Sequence, residues 1–163
     1  MSLDDDLLKA IRFGHEDIAR RALADCASPN ACSSDKFSAL MSATLNNHFT
    51  IFNLLLEHGA AIDARDNYGQ SALLWASIID RPAFAHILLE KNCRLDFTDL
   101  QNRTALDICQ LLGHQPIAAL IEEKIATNAE NAVKTLAAKE NAQIAAANLA
   151  RLDRMLKPPR RRP

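Results

Sequence analysis

Glycine and proline are scarce in this 163-residue chain, at 4 and 6 residues, and aromatic side chains make up only 5%. With 48% apolar residues, that mix reads as helical, soluble and globular, with room for one domain plus an appendage. No run approaches the roughly 18 consecutive apolar residues that span a bilayer, so no membrane span is expected. The start, Met1-Ser2-Leu3-Asp4-Asp5-Asp6, is acidic where a secretory signal is basic and then apolar. A cytoplasmic protein is therefore expected. Cys26, Cys32, Cys93 and Cys109 lack the paired short spacings of a zinc site, so no metal and no cofactor are expected. A reducing compartment argues against disulfides, and the four thiols are expected to be small buried groups. The Gly-x-x-x-x-Gly-Lys phosphate loop is missing. No nucleophile is placed beside a histidine in a way that builds an acid–base pair, so no catalytic residue is assigned and the chain is read as non-enzymatic.

The formal charge of −1 hides an asymmetry. Residues 1–125 hold 11 Lys/Arg against 17 Asp/Glu, and residues 126–163 hold 8 against 3. An acidic body with a basic tail implies two pieces with different partners, or one piece that attracts the other.

Internal periodicity decides the architecture. Ser38-Ala39-Leu40-Met41-Ser42-Ala43, stepped by 33 residues, lands on Ser71-Ala72-Leu73-Leu74-Trp75-Ala76, and then on Thr104-Ala105-Leu106-Asp107-Ile108-Cys109. One step back reaches Asp5-Asp6-Leu7-Leu8-Lys9-Ala10. Ile18, Ile51, Phe84 and Ile117 fall into register, as do His15, His48 and His114, and Asn30, Asp63 and Asp96. The stretch from Leu54-Leu55-Leu56-Glu57-His58-Gly59 to Asp66-Asn67-Tyr68-Gly69-Gln70-Ser71-Ala72-Leu73 resembles the ankyrin-repeat family most closely. The resemblance covers about residues 3–125. It implies an all-α solenoid of helix–turn–helix units joined by short hairpin loops, in four units of about residues 1–32, 33–65, 66–98 and 99–126. A helix pair of this length cannot bury its apolar face alone, so each unit leans on its neighbours.

Within the unit, Ser38, Ser71 and Thr104 stand where a helix begins and a hydroxyl can accept an orphan backbone N–H. Gly59 stands where a left-handed turn ends the second helix, and Asn92 takes that place one unit later. Leu7/Leu40/Leu73/Leu106 and Ala10/Ala43/Ala76/Cys109 read as core columns, one large and one small. Trp75 also reads as core. The family's usual Pro after the capping hydroxyl is Ala39, Ala72 and Ala105 here. Its usual His is Met41, Leu74 and Asp107, so the side-chain hydrogen bond common there is expected to be absent. Asp4-Asp5-Asp6 and the charged Arg20 and Arg21 suit an N-terminal cap.

The resemblance implies binding of a protein partner through hairpin tips and the exposed side of each first helix, which together form a concave surface. The tip residues are Phe37, then Asn67, Tyr68 and Gln70, then Leu100 and Arg103. The first helices end in Phe13, in Leu45 and Asn46, in Ile78 and Ile79, and in Leu111 and Leu112. Two readings of these apolar ends stand: packing between adjacent helices, or an apolar strip that receives an amphipathic helix.

Beyond Ile125 the chain runs to Lys157 without Gly or Pro and is rich in Ala, so a long helix is expected, about 45 Å for about 30 residues. Thr127-Asn128-Ala129-Glu130 matches a capping box, either starting a separate helix over 127–157 or falling by chance inside a continuous one. Val133, Ala137, Ile144, Ala147 and Met155 share one side and Leu149, Leu152 and Leu156 another, a broken seam that does not suit a regular coiled coil. This helix could cap the array, fold along the concave strip or self-associate. Residues 158–163 are expected to be disordered. Arg151, Arg154, Lys157, Arg160, Arg161 and Arg162 form a basic cluster that suits nucleic acid, an acidic surface or a targeting receptor. No aromatics interleave it, which disfavours single-stranded nucleic acid. Three functions follow: a protein-interaction module, a nucleic-acid-associated or translocated, effector-like regulatory protein, and a self-associating structural protein.

Overall fold

The computed structural model describes residues 2–156, apart from the side chains of residue 148 and residues 150–156. Residues 158–163 and Lys157 lie outside the described residues. Eight helices follow in order: α1 Leu3–Phe13, α2 Glu16–Ala24, α3 Ala39–Leu45, α4 Phe49–Glu57, α5 Ala72–Ile78, α6 Pro82–Glu90, α7 Ala105–Leu112 and α8 Gln115–Leu156. Among the described residues the extended backbone is limited to an isolated antiparallel bridge between Cys32 and Ser38. The fold is all-α, four helix pairs in a solenoid with a long final helix. The chain falls into two compact units, residues 1–123 and 124–163.

The helices begin where hydroxyls permit. Ser38 accepts from Met41 N–H at 3.2 Å, Ser71 from Leu74 N–H at 3.4 Å, and Thr104 from Asp107 N–H at 3.3 Å. Asp107 returns the favour, accepting from the backbone N–H of Thr104 at 2.8 Å and from its hydroxyl at 2.7 Å. The expected loss of a side-chain bond in this column is therefore corrected for the fourth unit, where the carboxylate closes a capping box. In the first unit the helix starts earlier than the register suggests. Ser2 is the cap, accepting from Asp5 N–H at 3.2 Å, and Asp5 accepts from Ser2 N–H at 3.0 Å. Asp4, Asp5 and Asp6 thus occupy the first turn, at the positive end of the helix dipole.

The 33-residue register is written most plainly in the left-handed residues. Every positive φ among the described residues falls into one of three columns: Gly14/Asn47/Asp80/Gly113 between paired helices, Cys26/Gly59/Asn92 after the second helix, and Lys36/Gly69/Asn102 in the hairpin. Cys26 stands in the glycine column with φ 70° and is exposed, as is Cys32. The expectation that all four thiols are buried is corrected: only Cys93 and Cys109 are. Cys26 follows Asp25, the C-cap of α2, and turns the chain at the surface.

Leu7, Leu40 and Leu73 and the small column Ala10/Ala43/Ala76/Cys109 are buried, while Leu106 is half-buried in the last first helix. Ile51, Phe84 and Ile117 are buried, yet Ile18 in the same column is 50% exposed. Phe84 explains the difference. It packs edge-on against Phe49 and Phe52 of the preceding unit at 5.2 and 4.9 Å between centroids. A second contact also repeats from unit to unit. Asn30 Oδ1 accepts from Ala61 N–H at 2.6 Å and Asp63 Oδ1 from Arg94 N–H at 2.8 Å, one unit onward. Ser28 N–H occupies the equivalent place in the first unit and donates at 2.7 Å to Asp4, a carboxylate of α1.

Within residues 124–163, α8 runs unbroken through Thr127, so the capping-box match lies inside a continuous helix. Val133, Leu136, Ile144 and Leu149 are exposed along it.

Candidate functional site

Three hairpin tips are built alike. Ser33, Asp66 and Asp99 donate their N–H to the carbonyls of Phe37, Gln70 and Arg103 at 3.0, 3.0 and 3.1 Å. The left-handed residue then turns each tip. Two tips carry a buried carboxylate that fixes the loop from inside. Asp66 Oδ1 accepts from the N–H groups of Tyr68 and Gln70, both at 2.9 Å, and its Oδ2 from the indole N–H of Trp75 at 3.1 Å. Asp99 Oδ1 accepts from the N–H groups of Gln101 and Arg103 at 2.9 and 3.0 Å. Its Oδ2 takes both guanidinium N–H groups of Arg103 at 2.9 and 2.7 Å. The Arg103 guanidinium, with help from the two backbone donors, holds the Asp99 carboxyl below the usual carboxylate range against the opposing effect of burial.

Sequence reading did not single out Asp66 or Asp99. The available signal was their 33-residue spacing together with a donor, Trp75 or Arg103, further along. Trp75 packs against the core, as expected, but at its edge. It is half-buried, with its N–H spent on Asp66 and its ring edge-on to Phe37 at 5.3 Å. Neighbouring tips are also tied together: Asn67 N–H donates to Asp35 O at 2.9 Å, and Arg65 reaches Thr98 O at 3.2 Å.

The ends of the first helices divide between the two readings. Phe13, Leu45, Leu111 and Leu112 are exposed, at 66%, 39%, 67% and 49%. Ile78 and Ile79 are half-buried in the middle of the array. The third unit thus covers its apolar ends in part, and the first, second and fourth leave theirs open to solvent. Asn46 is exposed and its amide NH₂ turns back onto Ser42 O at 2.9 Å. At the tips Tyr68 and Leu100 are 55% and 66% exposed, Asn67 is exposed, and Gln70, Arg103 and Phe37 are partly covered.

Two hollows lie on this side. One, of about 460 Å³, is set between α1 and α3 and lined by Leu8, Phe37 and Leu45, with Lys9, Arg12, Ser33, Ser42 and Asn46 around them. A smaller one of about 210 Å³ joins two tips, among Tyr68, Gln70, Leu100, Gln101 and Asp99.

Three of the five histidines make defined local contacts. His48 presses its ring against Gly14, where an added Cβ would come within 2.5 Å of it. His114 Nδ1 bonds Ser77 O at 2.8 Å across two units, and His58 Nδ1 bonds Leu54 O at 2.9 Å. Among the described residues no three His, Cys, Asp or Glu side chains converge as metal ligands, and no helix is long and apolar enough to cross a membrane. Of the basic cluster, Arg151 and Arg154 lie on α8 with side chains outside the described residues; Lys157, Arg160, Arg161 and Arg162 lie outside altogether.

Residues 7–66 match the family model for ankyrin repeats in three copies. Over 92 residues the chain is 36% identical to the ankyrin repeat domain-containing protein SAT10 of Stachybotrys chartarum, a match covering 56% of this chain and 5% of that protein. Over 109 residues it is 24% identical to a protein of Borreliella burgdorferi named for ankyrin repeats, covering 67% of this chain and 50% of the relative. The chain therefore spans at most half the length of these curated relatives.

Proposed function

Because the chain belongs to the ankyrin-repeat family, a class of protein-interaction modules, we propose that its array works without catalysis and captures a protein partner on the concave side. The observation that carries this reading is the open apolar ends of three first helices, Phe13 on α1, Leu45 on α3, and Leu111 and Leu112 on α7. Large side chains left open at equivalent places in a repeat form a surface whose coverage by a partner releases water from apolar area. An amphipathic helix fits such a surface, laying residues three and four apart along the strip. The tips flank it with Tyr68 and Leu100, both exposed. The carboxylates of Asp66 and Asp99 keep the tips in one shape before binding, which lowers the ordering cost of association.

The test is affinity capture from the native cell with the full chain and with a Leu111→Asp/Leu112→Asp variant of unchanged circular dichroism. Loss of the specific co-purifying protein in the variant is the expected result. Recovery of that protein in equal yield would remove the strip from the binding site.

A further inference from the structure

The hollow between α1 and α3 differs in charge from the unit that contains it. Residues 1–125 carry six more acidic than basic groups, counting 17 Asp/Glu and 11 Lys/Arg. Yet the charged side chains lining this hollow are both cationic, Lys9 and Arg12. They stand three residues apart on α1 and so share a helix face. Asp5, one turn earlier, accepts from the backbone N–H of Ser2 at the helix start and also feels the charge of Lys9, so the two cations outnumber the one carboxylate near them. The floor is apolar: Leu8, Phe37 and Leu45, the last of which also belongs to the open strip. Phe37 is fixed in place by its edge-on contact with Trp75, whose own N–H is held by Asp66. The hollow is thus a preformed apolar seat with a basic rim, opening onto the concave strip.

Its volume of about 460 Å³ is at the lower part of the range of about 300–1,000 Å³ that ligand pockets occupy. That space suits one large apolar side chain and its immediate neighbours. We propose that the seat takes a single Leu- or Phe-sized side chain from an acidic segment of the partner, with Asp or Glu residues one turn to either side meeting Lys9 and Arg12. The proposal rests on the concave-surface reading and adds the chemistry of the occupant. The rim selects by sign: a basic segment would bring like charges together over a low-dielectric floor, which is unfavourable, whereas an acidic one is steered in. Ser42, whose hydroxyl lies 3.4 Å from the Asn46 amide, forms the wall where added bulk would fill the seat.

The experiment uses the full chain as bait for a random peptide library displayed on phage, followed by titration of the selected peptides. Enriched sequences are expected to hold Leu or Phe within one helical turn of Asp or Glu. A Lys9→Glu/Arg12→Glu variant is expected to bind them about fivefold or more weakly at low salt, an effect that fades as salt rises. A Ser42→Phe variant is expected to abolish binding at all salt concentrations; if its circular dichroism departs from wild type, the charge reversals at exposed positions carry the test. Enrichment of sequences without acidic residues, or no enrichment, overturns the proposal, as does equal affinity for the doubly reversed variant. Peptides that ignore charge reversal but are lost with Leu112→Asp overturn the acidic occupant and leave the concave surface standing. Peptides indifferent to Ser42→Phe and to Leu112→Asp alike overturn both.

Discussion

The carboxylate of Asp99 accepts four N–H bonds, two from backbone and two from the Arg103 guanidinium, in a side chain almost wholly withdrawn from water. Asp99→Asn keeps the shape but loses the charge and turns an NH₂ group toward a cation, so it should destabilise the array by about 2–3 kcal/mol. The pH dependence has a definite sign. Arg103 holds the folded-state carboxyl below its unfolded value. The stability it supplies is therefore present in full above the ordinary carboxylate range and is lost as pH falls through the depressed folded value. Asp107 and Asp5, lowered by their bonds to Thr104 and Ser2, act in the same direction. Urea melts of wild type and Asp99→Asn between neutral and acidic pH should show the gap between them narrowing on acidification. A gap independent of pH would contradict this account of Asp99.

At the scale of the element, the stacking of first helices supplies the continuous core. Leu73 on α5 is 1% exposed and repeats the places of Leu7 and Leu40. Leu73→Ala should cost about 2–5 kcal/mol by lost burial plus the cavity left behind, read from equilibrium denaturation. A change below about half a kcal/mol would place the register wrongly. The helix pairs and their core columns were legible in the sequence because residue type and period coincide there: a hydroxyl before an apolar run, a large and a small residue on one face. The turns were legible only in part. Gly59 and Asn92 announce the left-handed conformation, but Cys26 and Lys36 adopt it by register alone. Their side chains carry no preference for it, so composition could not mark them. In α8 the opposite happened. Thr127 and Glu130 have the residue types of a helix start, yet no Gly or Pro stands between Pro116, in the first turn of α8, and Thr127, and Ala-rich sequence continues through. Local chemistry that permits a cap does not create one where propagation costs less.

For the molecule as a whole, the first unit departs from the repeat in its parts. Asp4 takes the N–H of Ser28 where Asn30 and Asp63 take those of Ala61 and Arg94, and Ile18 lies exposed where later units bury Ile51 and Phe84. The candidate surface was legible as a set of positions, since the repeat dictates which residues share a face. Its relief was not. Whether Ile79 or Leu112 is open depends on how closely the next helix approaches, a long-range property that the one-dimensional pattern does not contain. The same limit concealed the hollow at Lys9 and Arg12, which arises between units. The central claim is that a partner binds the concave side. Its most direct measurement places a photo-crosslinking amino acid at Leu112 in one full-length protein and at Arg20, exposed on α2, in another, each irradiated in the native cell. The account predicts a discrete adduct from position 112 and none of that mass from position 20. An adduct formed at position 20 and absent at 112 would contradict it.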